Sequence, residues 1–74
     1  MTSETDVQNW INENWDWSKG DYENCEALLA KLQRWEEQER GKGSEAYELI
    51  GKLFERVQFM RELALSAQKG RVQA

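Results

Sequence analysis

The residues whose type and spacing could do chemistry are few, and most are aromatic. Trp10, Trp15 and Trp17 fall close together, Tyr22 follows, and Asp16 separates the last two indoles. Tryptophan and tyrosine offer large, rigid contact area with one polar handle, so they dominate the side chains whose truncation costs binding. The Trp-Asp-Trp segment therefore reads as a docking element, two indoles for contact and a carboxylate for a basic group. Trp10, Trp15, Asp16, Trp17 and Tyr22 are the candidate partner-binding residues. The plainer alternative is that these aromatics fill gaps in a small core. Residues two apart on a helix point well away from each other, so Trp15 and Trp17 are not both expected on one helical stripe.

Other reactive side chains point less far. Arg56 and Arg61 flank the apolar arc of the last helical segment. They are candidates for holding a small anionic ligand, such as a nucleotide, between chains, with Lys69 and Arg71 adding charge and Trp35 or Phe54 lining the pocket. The commoner use of such residues is to lay an aliphatic stem along apolar surface while the charge stays wet. Cys25 lies on an apolar stripe and reads as a small buried hydrophobe. Glu36, Glu37 and Glu39 sit at a solvated helix end, where no shaped pocket would separate their pKa values for acid-base work. The chain has no histidine and one cysteine, so it lacks the usual zinc ligand set, a Cys/His or Ser/His arrangement and an intrachain disulfide. No catalytic residue and no cofactor is expected.

Three helical segments must position these groups; with no proline in the chain, only glycine and capping residues punctuate them. The first, over residues 5–14, opens on a Thr5/Gln8 capping box, with Ser3/Asp6 as a competing start, and carries Val7, Trp10 and Ile11 at helical spacing. The second, over residues 21–40, is capped by Ser18 or Asp21. Its Tyr22, Cys25, Leu28, Leu29, Leu32 and Trp35 recur at steps of three and four, in one arc roughly 140° wide. That stripe stops at Trp35, and Gly41 and Gly43 supply the turn. The third, over residues 45–69, is capped by Ser44 and ended by Gly70, with a frayed tail over 71–74. Ala46, Ile50, Leu53, Val57, Met60, Ala64 and Ala67 form a coiled-coil seam, and with Tyr47, Leu49, Phe54, Leu63 and Leu65 the apolar arc widens to roughly 200°.

These elements predict an all-α fold, an antiparallel hairpin of residues 21–40 and 45–69 plus a short N-terminal helix. The short turn pairs positions that sum to about 85, so that Tyr22 faces Leu63 and Leu32 faces Leu53. The first segment is too short to cover a third helix of roughly 37 Å. The remaining apolar surface is therefore expected to meet a second chain, a two-fold dimer being the simplest closure. Ile50, Leu53, Phe54, Val57, Phe59, Met60, Leu63 and Ala64 are the candidate oligomer interface. The alternative is a monomeric three-helix bundle.

With 74 residues the chain is one domain at most, and a domain this small buries a marginal core. The lone cysteine fits a reducing cytosol. The polar, acidic N-terminal stretch is unlike a secretory signal, and no apolar run reaches the roughly 20 residues of a membrane span. Net charge is −4, which disfavours nucleic acid as ligand. The charge is uneven: residues 1–26 carry seven carboxylates against Lys19 alone, an end suited to a basic partner. Size, acidity and missing catalytic groups together resemble small phage-encoded or immunity-type inhibitors as a class, with no motif that names a family. The expectation is a cytoplasmic, non-enzymatic protein-binding module. A helical oligomer that sequesters an anion and a structural assembly subunit are the alternatives.

Overall fold

A computed structural model describes the backbone of residues 3–73 and the side chains of residues 3–67. It contains three helices, α1 (Glu4–Asn14), α2 (Asp21–Glu39) and α3 (Ala46–Gln73). The all-α class and the three-segment order stand as the periodicity implied.

The ends of the helices refine the expected capping. Ser3, rather than Thr5, caps α1: its hydroxyl accepts from the Asp6 amide and the Asp6 carboxylate accepts from the Ser3 amide, both at 3.2 Å. This reciprocal box satisfies two donors that a helix start leaves unpaired. Gln8 donates instead to Asn12, one turn on. Neither Ser18 nor Asp21 caps α2; the position is taken by Gly20, without a side-chain hydrogen bond. Gly41 and Gly43 turn the chain at φ of 83° and 64°, where a Cβ would be strained. The Ser44 hydroxyl accepts from the Ala46 amide at the start of α3. At the far end, α3 does not stop at Gly70 but runs on to Gln73. One helical glycine costs only about 1 kcal/mol, and no proline follows to force a break.

The α2–α3 turn makes an antiparallel hairpin in the expected register. Arg61 of α3 reaches Glu26 (2.8 Å) and the Tyr22 hydroxyl (3.2 Å) of α2. α1 then lies antiparallel to α2, with Trp10 stacked on Trp35 and Asn14 accepting from Lys31. It lies parallel to α3, with Glu4 paired to Arg56 at one end and Trp15 beside Met60 and Leu63 at the other. All three helices feed one core: Val7 and Ile11 from α1, Cys25, Leu28 and Leu32 from α2, Ile50, Leu53 and Val57 from α3.

This closure changes the reading of the α3 seam. Ile50, Leu53 and Val57 are at most 1% exposed within the chain itself, so three residues expected at an oligomer interface already have their partners. Phe54, Met60 and Ala64 are half-buried, and Phe54 and Met60 pack on that core. Only Phe59 (62% exposed) and Leu63 (57%) keep an open face. Short as it is, α1 contributes Val7 and Ile11 to the core that contains Ile50, Leu53 and Val57.

Leu53 fills the middle of this core. Leu53→Ala should cost about 2–5 kcal/mol, lowering the melting temperature by more than about 10 °C in a domain this small. Circular dichroism melts would check it, and a drop of only a degree or two would mean that the three helices do not share one core.

Candidate functional site

The aromatic and acidic residues singled out above converge on the link between α1 and α2, residues 15–20. This link is built around one buried polar side chain. Asn24, 2% exposed, stands on the inward face of α2 one turn before Leu28. Its carboxamide oxygen accepts from the Asp16 amide at 2.8 Å. Its nitrogen donates to the carbonyls of Asp16 (2.9 Å), Gly20 (3.1 Å) and Lys19 (3.3 Å). A buried amide is tolerated only when such bonds replace water, and here they staple both ends of the link to α2.

Asp16 adds a second, outer layer of bonding. Its carboxylate accepts from the Ser18 hydroxyl (2.6 Å) and the Ser18 amide (3.0 Å) and lies 3.9 Å from the Lys19 ammonium. The Ser18 hydroxyl above all, then the Ser18 amide, hold the Asp16 carboxyl below its usual range, with Lys19 a smaller influence. Ser18 is thus spent on the turn, which explains why it cannot cap α2.

The five candidate contact residues separate once placed. Trp10 is half-buried, its ring 6.3 Å from that of Trp35 and nearly parallel to it. Tyr22 is half-buried under the Arg61 guanidinium, 5.4 Å above its ring. Trp15 is half-buried and packs against the core. Trp17 is 83% exposed, its ring tilted 58° against Trp15 at 6.2 Å. Asp16 is exposed beside it. The segment therefore divides its indoles, Trp15 inward and Trp17 outward.

Two grooves open beside this link. One, of about 370 Å³, is lined by Trp15, Asp21 and Cys25 on one side and by Met60, Leu63, Ala64 and Ala67 of α3 on the other. The second, of about 280 Å³, includes Ile11, Trp15, Trp17, Lys19, Asp21 and Met60 in its walls. Trp15, Asp21 and Met60 belong to both. Cys25 is fully buried at the edge of the first, and burial, reinforced by Asp21 and Glu26, pushes its thiol pKa up. Such a thiol stays protonated and behaves as packing.

The two arginines proposed for an anion engage different helices. Arg56 pairs with Glu4 of α1, and Arg61 with Glu26 and Tyr22 of α2. The Arg61 hydrogen bond, then that of Tyr22, hold the Glu26 carboxyl below its ordinary range. Trp35 and Phe54, offered as the walls of an interchain pocket, pack instead on the chain's own core. Lys69 and Arg71 lie outside the described side chains. Among the described residues no group of three or more carboxylate, thiol or imidazole side chains is placed to hold a metal ion. No helix there is long and apolar enough to cross a membrane.

No family model, curated protein or solved structure matches this chain. What the site can do rests on its own geometry. Two of its parts escaped the sequence argument, Asn24 as the staple and Asp21 as a carboxylate shared by both grooves. The signal for Asn24 was present: a polar residue one turn ahead of Leu28, on the stripe that otherwise reads apolar.

Asn24→Ala leaves the Asp16 amide without its partner and takes the side-chain bond from the Lys19 carbonyl, while the Asp16 and Gly20 carbonyls keep the backbone amides of Lys19 and Asn24; it should cost about 1–3 kcal/mol. Amide exchange at Asp16 should accelerate and the fluorescence anisotropy of Trp17 should fall; unchanged exchange at Asp16 would show that the staple does not hold the link. The pH response follows from Asp16 and Glu26. Both folded-state pKa values lie below those of the unfolded chain, so their contribution is complete above the ordinary carboxylate pKa of about 4 and is lost as pH falls through the folded values. Tryptophan emission should hold steady from pH 7 to about 5 and change only below about 4, and Ser18→Ala should move the Asp16 part of that change to higher pH in a carboxylate NMR titration.

Proposed function

We propose that the chain is a non-enzymatic protein-binding module of the cytosol, a small acidic inhibitor or adaptor that docks on a larger protein through the residue 15–20 link. One observation carries the reading: an indole 83% exposed, on a link whose backbone is stapled by a buried asparagine. Exposing a tryptophan gains nothing for folding, and a fixed backbone lowers the entropy lost on binding. Trp17 is thus suited to be the anchor of an interface, with Asp16 beside it and Trp15 as its inner support. The acidic balance of residues 1–26 supports a basic partner surface.

A second reading has its own support. Phe59 and Leu63, one turn apart on α3, are with Tyr47 the other exposed large hydrophobics among the described residues. A second copy of the chain covering them would make a dimer through the outer face of α3, and light scattering measures that directly. For the anion-sequestering alternative, Arg56 and Arg61 would have to release Glu4 and Glu26, with which they are paired within the chain.

Trp17→Ala should abolish capture of the partner from a lysate while leaving the helical circular dichroism signal unchanged. Capture undiminished in that variant would remove the link from the interface.

A further inference from the structure

Asp21 occupies an unusual place for a carboxylate. It is the first residue of α2, where the helix dipole favours negative charge, and it is exposed. It lines both grooves, with Met60, Leu63, Ala64 and Ala67 in one, Ile11, Trp17 and Met60 beside the polar Gln8, Asn12 and Lys19 in the other, and Trp15 common to both. Among the described residues it makes no hydrogen bond or ion pair. The neighbouring cation, Lys19, is directed at Asp16. The site thus presents an exposed carboxylate at a helix start between one largely apolar groove and one of mixed lining, with the indoles of Trp15 and Trp17 beside it. An aromatic face is a further attraction for a cation.

We infer that this face receives a basic amphipathic helix of a partner protein. A lysine or arginine lies over Asp21, and apolar side chains one turn before and after it enter the two grooves. Helix neighbours three and four positions apart stand about 5–6 Å from each other at Cβ, a spacing suited to adjacent depressions that share a wall. The inference rests on the protein-binding reading above and adds the chemistry of the partner. Charge decides against a second copy as occupant. Each chain carries a net charge of −4, and the α3 face that would pair presents exposed Glu55 and Glu62 near Phe59 and Leu63, with Lys52 and Arg56 close by. Two such acidic chains repel by their net charge, whereas a basic helix is drawn to the Asp21 surface.

The probe is a fluorescein-labelled leucine–lysine peptide of about four helical turns in amphipathic order. Its controls are the same composition scrambled and a leucine–glutamate peptide of the same order. Binding to the full chain is read by anisotropy. The amphipathic leucine–lysine peptide should bind tighter than either control. Asp21→Lys should weaken it at least about fivefold, and Asp21→Asn, which removes the charge without reversing it at the helix start, should weaken it less with the fold intact by circular dichroism. Glu37→Lys makes the same change in net charge about 24 Å along α2 and should leave binding unchanged. Equal binding of the scrambled peptide, or equal loss in Glu37→Lys, would overturn the inference by reducing it to bulk charge. A dimer in light scattering that Leu63→Asp dissociates would overturn it in favour of a second copy. Failure of the peptide alongside Trp17-dependent capture from a lysate would sink the basic helix and leave the module standing; failure of both would sink both.

Discussion

Shortage of apolar material is the constraint on which this structure depends. Its core consists of aliphatic side chains and one thiol drawn from three helices, whose stability comes mostly from packing against one another rather than from propensity. Each helix is stable because the other two cover its stripe. Val7 and Ile11 matter as much as the longer runs on α2 and α3, since without them Ile50, Leu53 and Val57 would face water. The Trp10–Trp35 stack ties α1 to α2, and the Arg61–Glu26–Tyr22 contacts tie α2 to α3.

The same shortage leaves a remainder. α3 is 28 residues long and α2 is 19, so at about 1.5 Å per residue one helix outruns the other by roughly 13 Å. The molecule is correspondingly elongated, 49 Å by 23 Å by 21 Å. Toward that end of α3, the larger groove lies between Trp15, Asp21 and Cys25 on one side and Met60, Leu63, Ala64 and Ala67 on the other. Its position follows from helix lengths, and its chemistry from which side chains happen to line it.

The link is the one place where polar bonding outweighs apolar burial in setting the backbone. Asn24 bonds inward and Asp16 bonds across the turn, so the chain between α1 and α2 has two independent sets of hydrogen bonds. That arrangement holds Trp15 in and Trp17 out. A surface built this way has its contact groups set before a partner arrives, which is the property a small binding protein needs when its own core can spare little stability for rearrangement.

Periodicity determined the helices, their order and the hairpin register, because an amphipathic stripe is a local property that reads directly from spacing. Composition likewise determined the acidic N-terminal third and the absence of histidine chemistry. The partnering of α3 was another matter. The width of its apolar arc is in the sequence, but whether Ile50, Leu53 and Val57 are covered within the chain or by a second one depends on where α1 packs, which no local pattern encodes. Capping competed at short range: Ser3 prevailed over Thr5 because Asp6 could return its hydrogen bond, while Ser18 was lost to Asp16. Asn24 stood on a stripe where its side chain had to be buried, yet its partners lie in the link, brought to it only when α1 folds back against α2. Tertiary structure alone decided that Trp17 is exposed, that Arg56 and Arg61 are engaged, and that Asp21 sits between two grooves. Each depends on distances between residues far apart in the chain, and those distances exist only after the core has closed.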